Sequence, residues 1–140
     1  MILYIDTTQR DFLKFALIDK EGEFFSLSRK VSGQQSEKLL FLLDGFLKKN
    51  KLKLTDLEKI VVNRGPGSFT AVRLGIVLAN TLIFSLKVLG AGIDNFIPQN
   101  EEDYLKLEKL KFSKNPIKPY YDREADITKS KKKININNKL

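Results

Sequence analysis

The stretch VVNRGPGSFTAVRLG, residues 61–75, decides how the chain is read. A β-branched run meets a Gly-Pro-Gly hinge and passes at once into a long apolar segment, the pattern of a strand turning into a helix. Such a junction aims backbone N–H groups at one point, and that point attracts phosphate. The local residues do not spell a standard phosphate loop: no Lys follows the second glycine, and the pattern is neither GxGxxG nor GxxxxGKS/T. Pro66 also removes one amide from any cradle. The alternative is a tight turn in which Gly65 and Gly67 supply unusual backbone angles and Ser68 caps the helix. Local chemistry leaves both readings open, an anion site over Gly65, Pro66, Gly67, Ser68 and Thr70, or a structural hinge.

Upstream, MILYID and FLKFALID read as strands, and EFFSLSRK follows the turn signal KEG as a third. Three tightly linked strands within thirty residues predict an antiparallel meander. Ser32 and Gln35 offer a capping box for a helix over SEKLLFLLDGFLKK, ending near Lys49. EKIVVN does not alternate and is predicted as a fourth strand buried on both faces. A second helix follows from about Ser68 to Leu86, and VLGAGI gives a fifth strand. The order β-β-β-α-β-α-β defines an α/β domain with a mixed sheet over residues 1–97. Residues 98–128 form a C-terminal segment, in which NEEDYLKLEKLKF fits helix and strand periods imperfectly and SKNPIKP reads as loop. Residues 129–140 are expected to be a frayed or disordered tail.

Composition removes whole classes of chemistry. With 140 residues, 42% of them hydrophobic, the chain has enough apolar material for one packed domain. It contains neither Cys nor His. No Ser-His-Asp triad, thiolate nucleophile, HExxH zinc site or imidazole base can be built from it. Catalysis would fall to carboxylates, Lys, Tyr, hydroxyls and backbone amides, and the sequence assigns no catalytic residue, cofactor or metal. The formal charge is +8, of which residues 129–140 carry five Lys and no acid. A basic tail is therefore evident and a basic folded face is not. Asp6 and Arg10 interrupt any signal-peptide pattern. The apolar run from Leu74 to Leu86, bounded by Arg73 and Lys87, reads as too short to span a bilayer. A soluble cytoplasmic protein is the expectation.

Both helices carry more apolar surface than one sheet can cover. Beyond its first turn the second helix has only Arg73, Asn80, Thr81 and Ser85 as polar residues, so it is expected to be buried on more than one side. Ala71, Gly75 and Ala79, at i, i+4 and i+8, form a stripe of small side chains that suits close approach of another helix. In the first helix, Leu39, Leu40, Leu43, Phe46 and Leu47 are assigned to the core. Phe41 points away, with Leu42 on the flank. Phe41, Leu42, Phe69, Ala71, Val72, Gly75 and Ala79 are thus the candidate partner interface, against the alternative of an ordinary larger core.

Three segments together resemble the TsaB family, also called YeaZ: ILYIDTT, QSEKLL and GPGSFTAVRLG. The family signature reads GPGSFTGLRIG. It is matched at Gly65, Pro66, Gly67, Ser68, Phe69, Thr70, Arg73 and Gly75, with Ala71 in place of the third glycine. PYYDREADIT is similar to the family's closing Pro-x-Tyr-x-Arg segment through Pro119, Tyr121 and Arg123. The resemblance implies an actin-like (ASKHA) fold, here its N-terminal lobe. It implies a non-catalytic accessory protein that pairs with TsaD through N-lobe helices, with the ATPase TsaE joining the assembly. TsaD would then transfer threonylcarbamoyl to the adenosine beside the tRNA anticodon.

The chain departs from that pattern in three places. Gln35 stands where the family's first-helix motif has His, Ala71 adds a methyl to the stripe, and only about twenty residues occupy the place of a second lobe, so the resemblance implies that the segment over residues 98–128 is shortened. An apolar face left open on the side that lobe normally meets would favour a homodimer of the chain alone. DTTQRD has the acid Asp6 without a glycine for close phosphate approach, so Asp6 reads as a strand-end residue bonding the following turn. Two further possibilities are a remnant nucleotide-binding or phosphotransfer domain using the Gly65–Thr70 turn, and tRNA contact through the lysines between Lys129 and Lys139.

Overall fold

In the computed structural model residues 1–119 are described. The expected match at Tyr121 and Arg123 and the basic tail over residues 129–140 lie outside them. Five strands form one sheet: β1 (Ile2–Asp6), β2 (Phe12–Ile18), β3 (Phe24–Lys30), β4 (Lys59–Gly65) and β5 (Leu89–Asp94), in the order β3-β2-β1-β4-β5. β1 lies at the centre. It pairs antiparallel with β2, Tyr4 opposite Ala16, and parallel with β4, Tyr4 opposite Val61. Its five residues are all buried, as are Ile60, Val61, Val62 and Asn63 of β4, which is why neither strand alternates in sequence.

One face of the sheet, bearing Leu3, Ile5, Phe15, Ile60 and Val62, packs against α1 (Gln35–Lys49) and α2 (Phe69–Leu86). α2 is 18 residues with a mean hydropathy of 1.7, so by length and composition alone it is long and apolar enough to cross a membrane. Ala71, Val72, Gly75, Ile76, Leu78, Ala79, Leu82 and Ile83 are nevertheless buried within the domain. The core of this chain accounts for much of the helix's apolarity.

The segment after residue 95 closes the other face. Ile2, Tyr4, Ala16, Ile18 and Val61 are covered by Leu107, with Phe96, Tyr104, Leu110 and Phe112 packed around them. This second face of the sheet is thus filled from within the chain. The ambiguous period of residues 100–112 has a simple cause, a change of conformation midway. α3 (Glu101–Leu105) is one short helix, followed by a 3-10 turn over Lys106–Lys109 and then extended chain. Asn100 caps α3 by accepting from the Asp103 amide, and the Asp103 carboxylate accepts in return from the Gln99 amide.

The chain then wraps the β5 edge. Gly90 and Ser113 exchange two backbone hydrogen bonds of 2.8 and 3.0 Å. Ile117 enters the core on the helical side, where its amide donates to Asn80 Oδ1 and its carbonyl accepts from Asn80 Nδ2. Residues 96–119 are in effect a strap, anchored on both faces of the sheet.

Candidate partner interface

The hinge between β4 and α2 is built against the turn that follows β1. Gly65 has φ +114°, a backbone region that disfavours any side chain, and the Gly65–Pro66 peptide is cis. Gly67 is required for space instead: a Cβ there would lie 2.5 Å from the Thr8 carbonyl oxygen. Two of the turn's amides are engaged within the chain. Gly65 N–H donates to Asn63 Oδ1 at 3.0 Å, Pro66 has none, and Ser68 N–H donates to the Thr8 carbonyl at 3.1 Å. Ser68 holds the N-cap position but its side chain makes no capping bond, so the expected cap is positional only.

The small-residue stripe faces inward, which corrects its expected role. Ala71 and Ala79 are 1% and 0% exposed, and a Cβ at Gly75 would meet Thr7 Oγ1 at 2.5 Å. The Thr7 hydroxyl accepts from the Gly75 amide and donates to the Ala71 carbonyl, the pair that makes one i to i−4 rung of a helix. The groove expected to admit a partner helix is therefore occupied by the chain's own first turn. Val72 and Leu42 are buried as well.

Asp6 and Gln35 tie this turn down. As read from the sequence, Asp6 bonds the following turn: its Oδ1 accepts from the Thr8 amide and hydroxyl at 2.8 and 2.7 Å. Its Oδ2 accepts from Tyr4 Oη and Asn63 Nδ2. Burial pushes the Tyr4 phenol far above its ordinary value, and the neighbouring Asp6 carboxylate adds to that. The capping box expected at Ser32 and Gln35 does not form, because α1 begins at Gln35 and the Gln35 side chain turns inward. Its Nε2 donates among the carbonyls of Thr7, Gln9 and Phe12 at 3.0, 2.9 and 2.7 Å. Two protons shared among three acceptors hold both ends of the β1–β2 turn.

With the inward side settled, the outward side of the two helices stands apart. Phe41 is 77% exposed and Phe69 63%, as the candidate interface requires. Leu40, Val77 and Phe84 belong with them at 65%, 62% and 86% exposure, and sequence reasoning missed all three. The signal was present on α2, where Phe69, Arg73, Val77 and Phe84 recur at steps of four, four and seven, on the opposite side from the small stripe. On α1 the helix sits about one residue further round than expected, so Leu42 enters the core and Leu40 leaves it. Thr70 and Arg73 are also exposed, and the Arg73 guanidinium lies 4.2 Å from the Phe69 ring centre. Phe41 borders a groove of about 430 Å³ between α1 and β3, with Phe25, Leu27 and Phe46 among its walls.

A mixed sheet ordered β3-β2-β1-β4-β5, with two long helices on one face, defines an actin-like (ASKHA) N-terminal lobe. Residues 28–122 match the model of the family described as TsaD, tRNA N6-adenosine threonylcarbamoyltransferase. The chain belongs to that family, as a member of its TsaB/YeaZ group.

The relatives' names carry the group. The chain is 31% identical to the tRNA threonylcarbamoyladenosine biosynthesis protein TsaB of Buchnera aphidicola (subsp. Schizaphis graminum), a match covering 78% of this chain and 51% of that one. It is 34% identical to the TsaB of Bacillus subtilis over 62% of this chain and 38% of that one. The solved structure of YeaZ from Pseudomonas aeruginosa superposes with a TM-score of 0.63 and 25% identity, over 68% of this chain and 44% of YeaZ. The chain thus spans about half the length of these relatives, or less.

Proposed function

We propose that this chain serves tRNA threonylcarbamoyladenosine biosynthesis as an accessory subunit that binds and activates TsaD without performing the transfer itself. The observation that carries this reading is the outward face of α1 and α2, where Leu40, Phe41, Phe69, Val77 and Phe84 remain exposed after the sheet has been covered. Large side chains presented on neighbouring helices are the material of a helix-to-helix interface. A sequence without His or Cys supports a non-catalytic role, since it offers neither an imidazole base nor a thiolate nucleophile. TsaE would join through the TsaD complex, and the same helical face would serve a homodimer when TsaD is absent.

The test is co-expression with the organism's own TsaD, followed by size-exclusion chromatography with mass measurement. A one-to-one complex at micromolar concentration is expected, lost on Phe41→Asp combined with Phe84→Asp. Absence of any complex, or a complex indifferent to both substitutions, overturns the reading.

A further inference from the structure

The charge of this chain is concentrated in two short stretches. Residues 106–118 hold five Lys and one Glu, and residues 129–140 hold five Lys and no acid, whereas all other residues hold 15 Lys and Arg against 16 Asp and Glu. The first stretch is the later part of the strap, whose earlier part carries Glu101, Glu102 and Asp103, and the fold gathers Lys111, Lys114 and Lys118 with Lys87 from α2's end along the β5 edge. Lys111 and Lys118 line a groove of about 330 Å³ beside Gly90, Ala91 and Gly92. Lys114 and Lys87 line the next groove, and Pro116 is the wall the two share.

These lysines have not been used by the fold. Lys87, Lys111, Lys114 and Lys118 are exposed, and none makes an ion pair among the described residues. Among the described residues no acidic residue lines either groove. Asp94, on β5, is held by Arg64 through two bonds of 2.6 Å. A row of cations without counter-charges repels itself and raises the local potential by an amount that a polyanion relieves. The lysines border two grooves that share Pro116 as a wall.

We propose that the β5 edge is an RNA-backbone contact surface, on which Lys87, Lys111, Lys114 and Lys118 bind successive phosphates. Such contacts fix position and carry no sequence information, which suits a subunit that orients an RNA for a partner's chemistry. The choice of RNA rests on the functional reading above; the cationic surface itself does not.

The test uses the full chain and fluorescently labelled, unmodified tRNA transcript, with anisotropy read from 50 to 200 mM salt. The unsubstituted chain is expected to bind, and to weaken steeply as salt rises. The combination K111E, K114E and K118E is expected to weaken binding at least tenfold, and to reduce the slope of log K against log salt by about 2 to 3. Its melting transition is expected to be unchanged, and K111E with K118E, outside the groove that Phe84 shares with Lys114, is expected to leave co-elution with TsaD as it was. Lys20→Glu with Lys30→Glu, at the far edge of the sheet, should leave RNA affinity as it was.

The inference is overturned if the triple variant binds like the parent, if deleting residues 129–140 removes all binding and the strap substitutions none, or if phosphatidylserine vesicles are bound and tRNA is not. RNA binding without TsaD pairing would sink the functional reading alone. Pairing without RNA binding would sink this one alone.

Discussion

The two faces of the sheet are sealed by different means, and the contrast is most informative on the outside. One face is covered by helices of 15 and 18 residues, the other by a five-residue helix, a 3-10 turn and extended chain. Both are dry: Leu3, Ile5 and Ile60 on the first and Leu107 on the second are 0% exposed. Covering a sheet requires only one side of whatever lies over it. What the covering element carries on its other side is not dictated by the fold and so reports on what lies beyond the chain. The helices turn out Leu40, Phe41, Val77 and Phe84, whereas the strap turns out charge, Glu101 and Glu102 at its start and Lys111, Lys114 and Lys118 towards its end. The outward sides thus differ in chemistry, one apolar and one charged.

The sharpest way to break this contrast is to confuse inside with outside on α2. Gly75→Glu places a carboxylate where even a Cβ would be 2.5 Å from Thr7 Oγ1, and it should cost more than about 4 kcal/mol, removing the cooperative transition in a circular-dichroism melt. A folded variant would show that α2 does not sit against the turn as described. On the opposite face, Leu107→Ala should cost about 2 to 5 kcal/mol by urea titration. A cost under about 1 kcal/mol would mean that the strap is decoration and not core.

Phe84→Asp sharpens the outward half of the comparison. It is expected to weaken pairing with TsaD at least tenfold while changing monomer stability by no more than about 0.5 kcal/mol. The smallest effect is expected at Gly45, on α1 beside Phe41, where a Cβ would meet nothing within 4 Å. Gly45→Ala should stabilise the free monomer by about 0.5 to 1 kcal/mol, through helix propensity alone. A loss of stability there would reveal an inward role for that side of α1.

Much of the architecture was legible in the sequence, because unbroken apolar runs and turn residues mark the elements directly. ILYID and IVVN announce central strands, and Asp6 beside Thr8 announces a side chain bonding its own turn. What periodicity did not supply was rotation. A helix apolar almost all round does not say which stripe meets the sheet, so Ala71, Gly75 and Ala79 were read outward when their small size serves contact with β1's turn. Leu40 and Leu42 exchanged places for the same reason. Gln35 satisfied the pattern of a cap, yet three carbonyls of a turn more than twenty residues away claimed its amide. The strap was obscure because three conformations follow one another within a dozen residues. Asn80, an isolated amide in an apolar helix, was its one local sign, and the meaning became plain only with Ile117 beside it.

The Thr7 hydroxyl seated between Ala71 and Gly75 has a consequence for when the helical face exists at all. Residues separated by more than sixty positions share one rung, so the opening turns of α2 inherit their placement from the turn that follows β1. Phe69 stands on those turns. A partner that grips it is reading a completed tertiary closure, and a chain whose first strand has not docked presents nothing equivalent to hold.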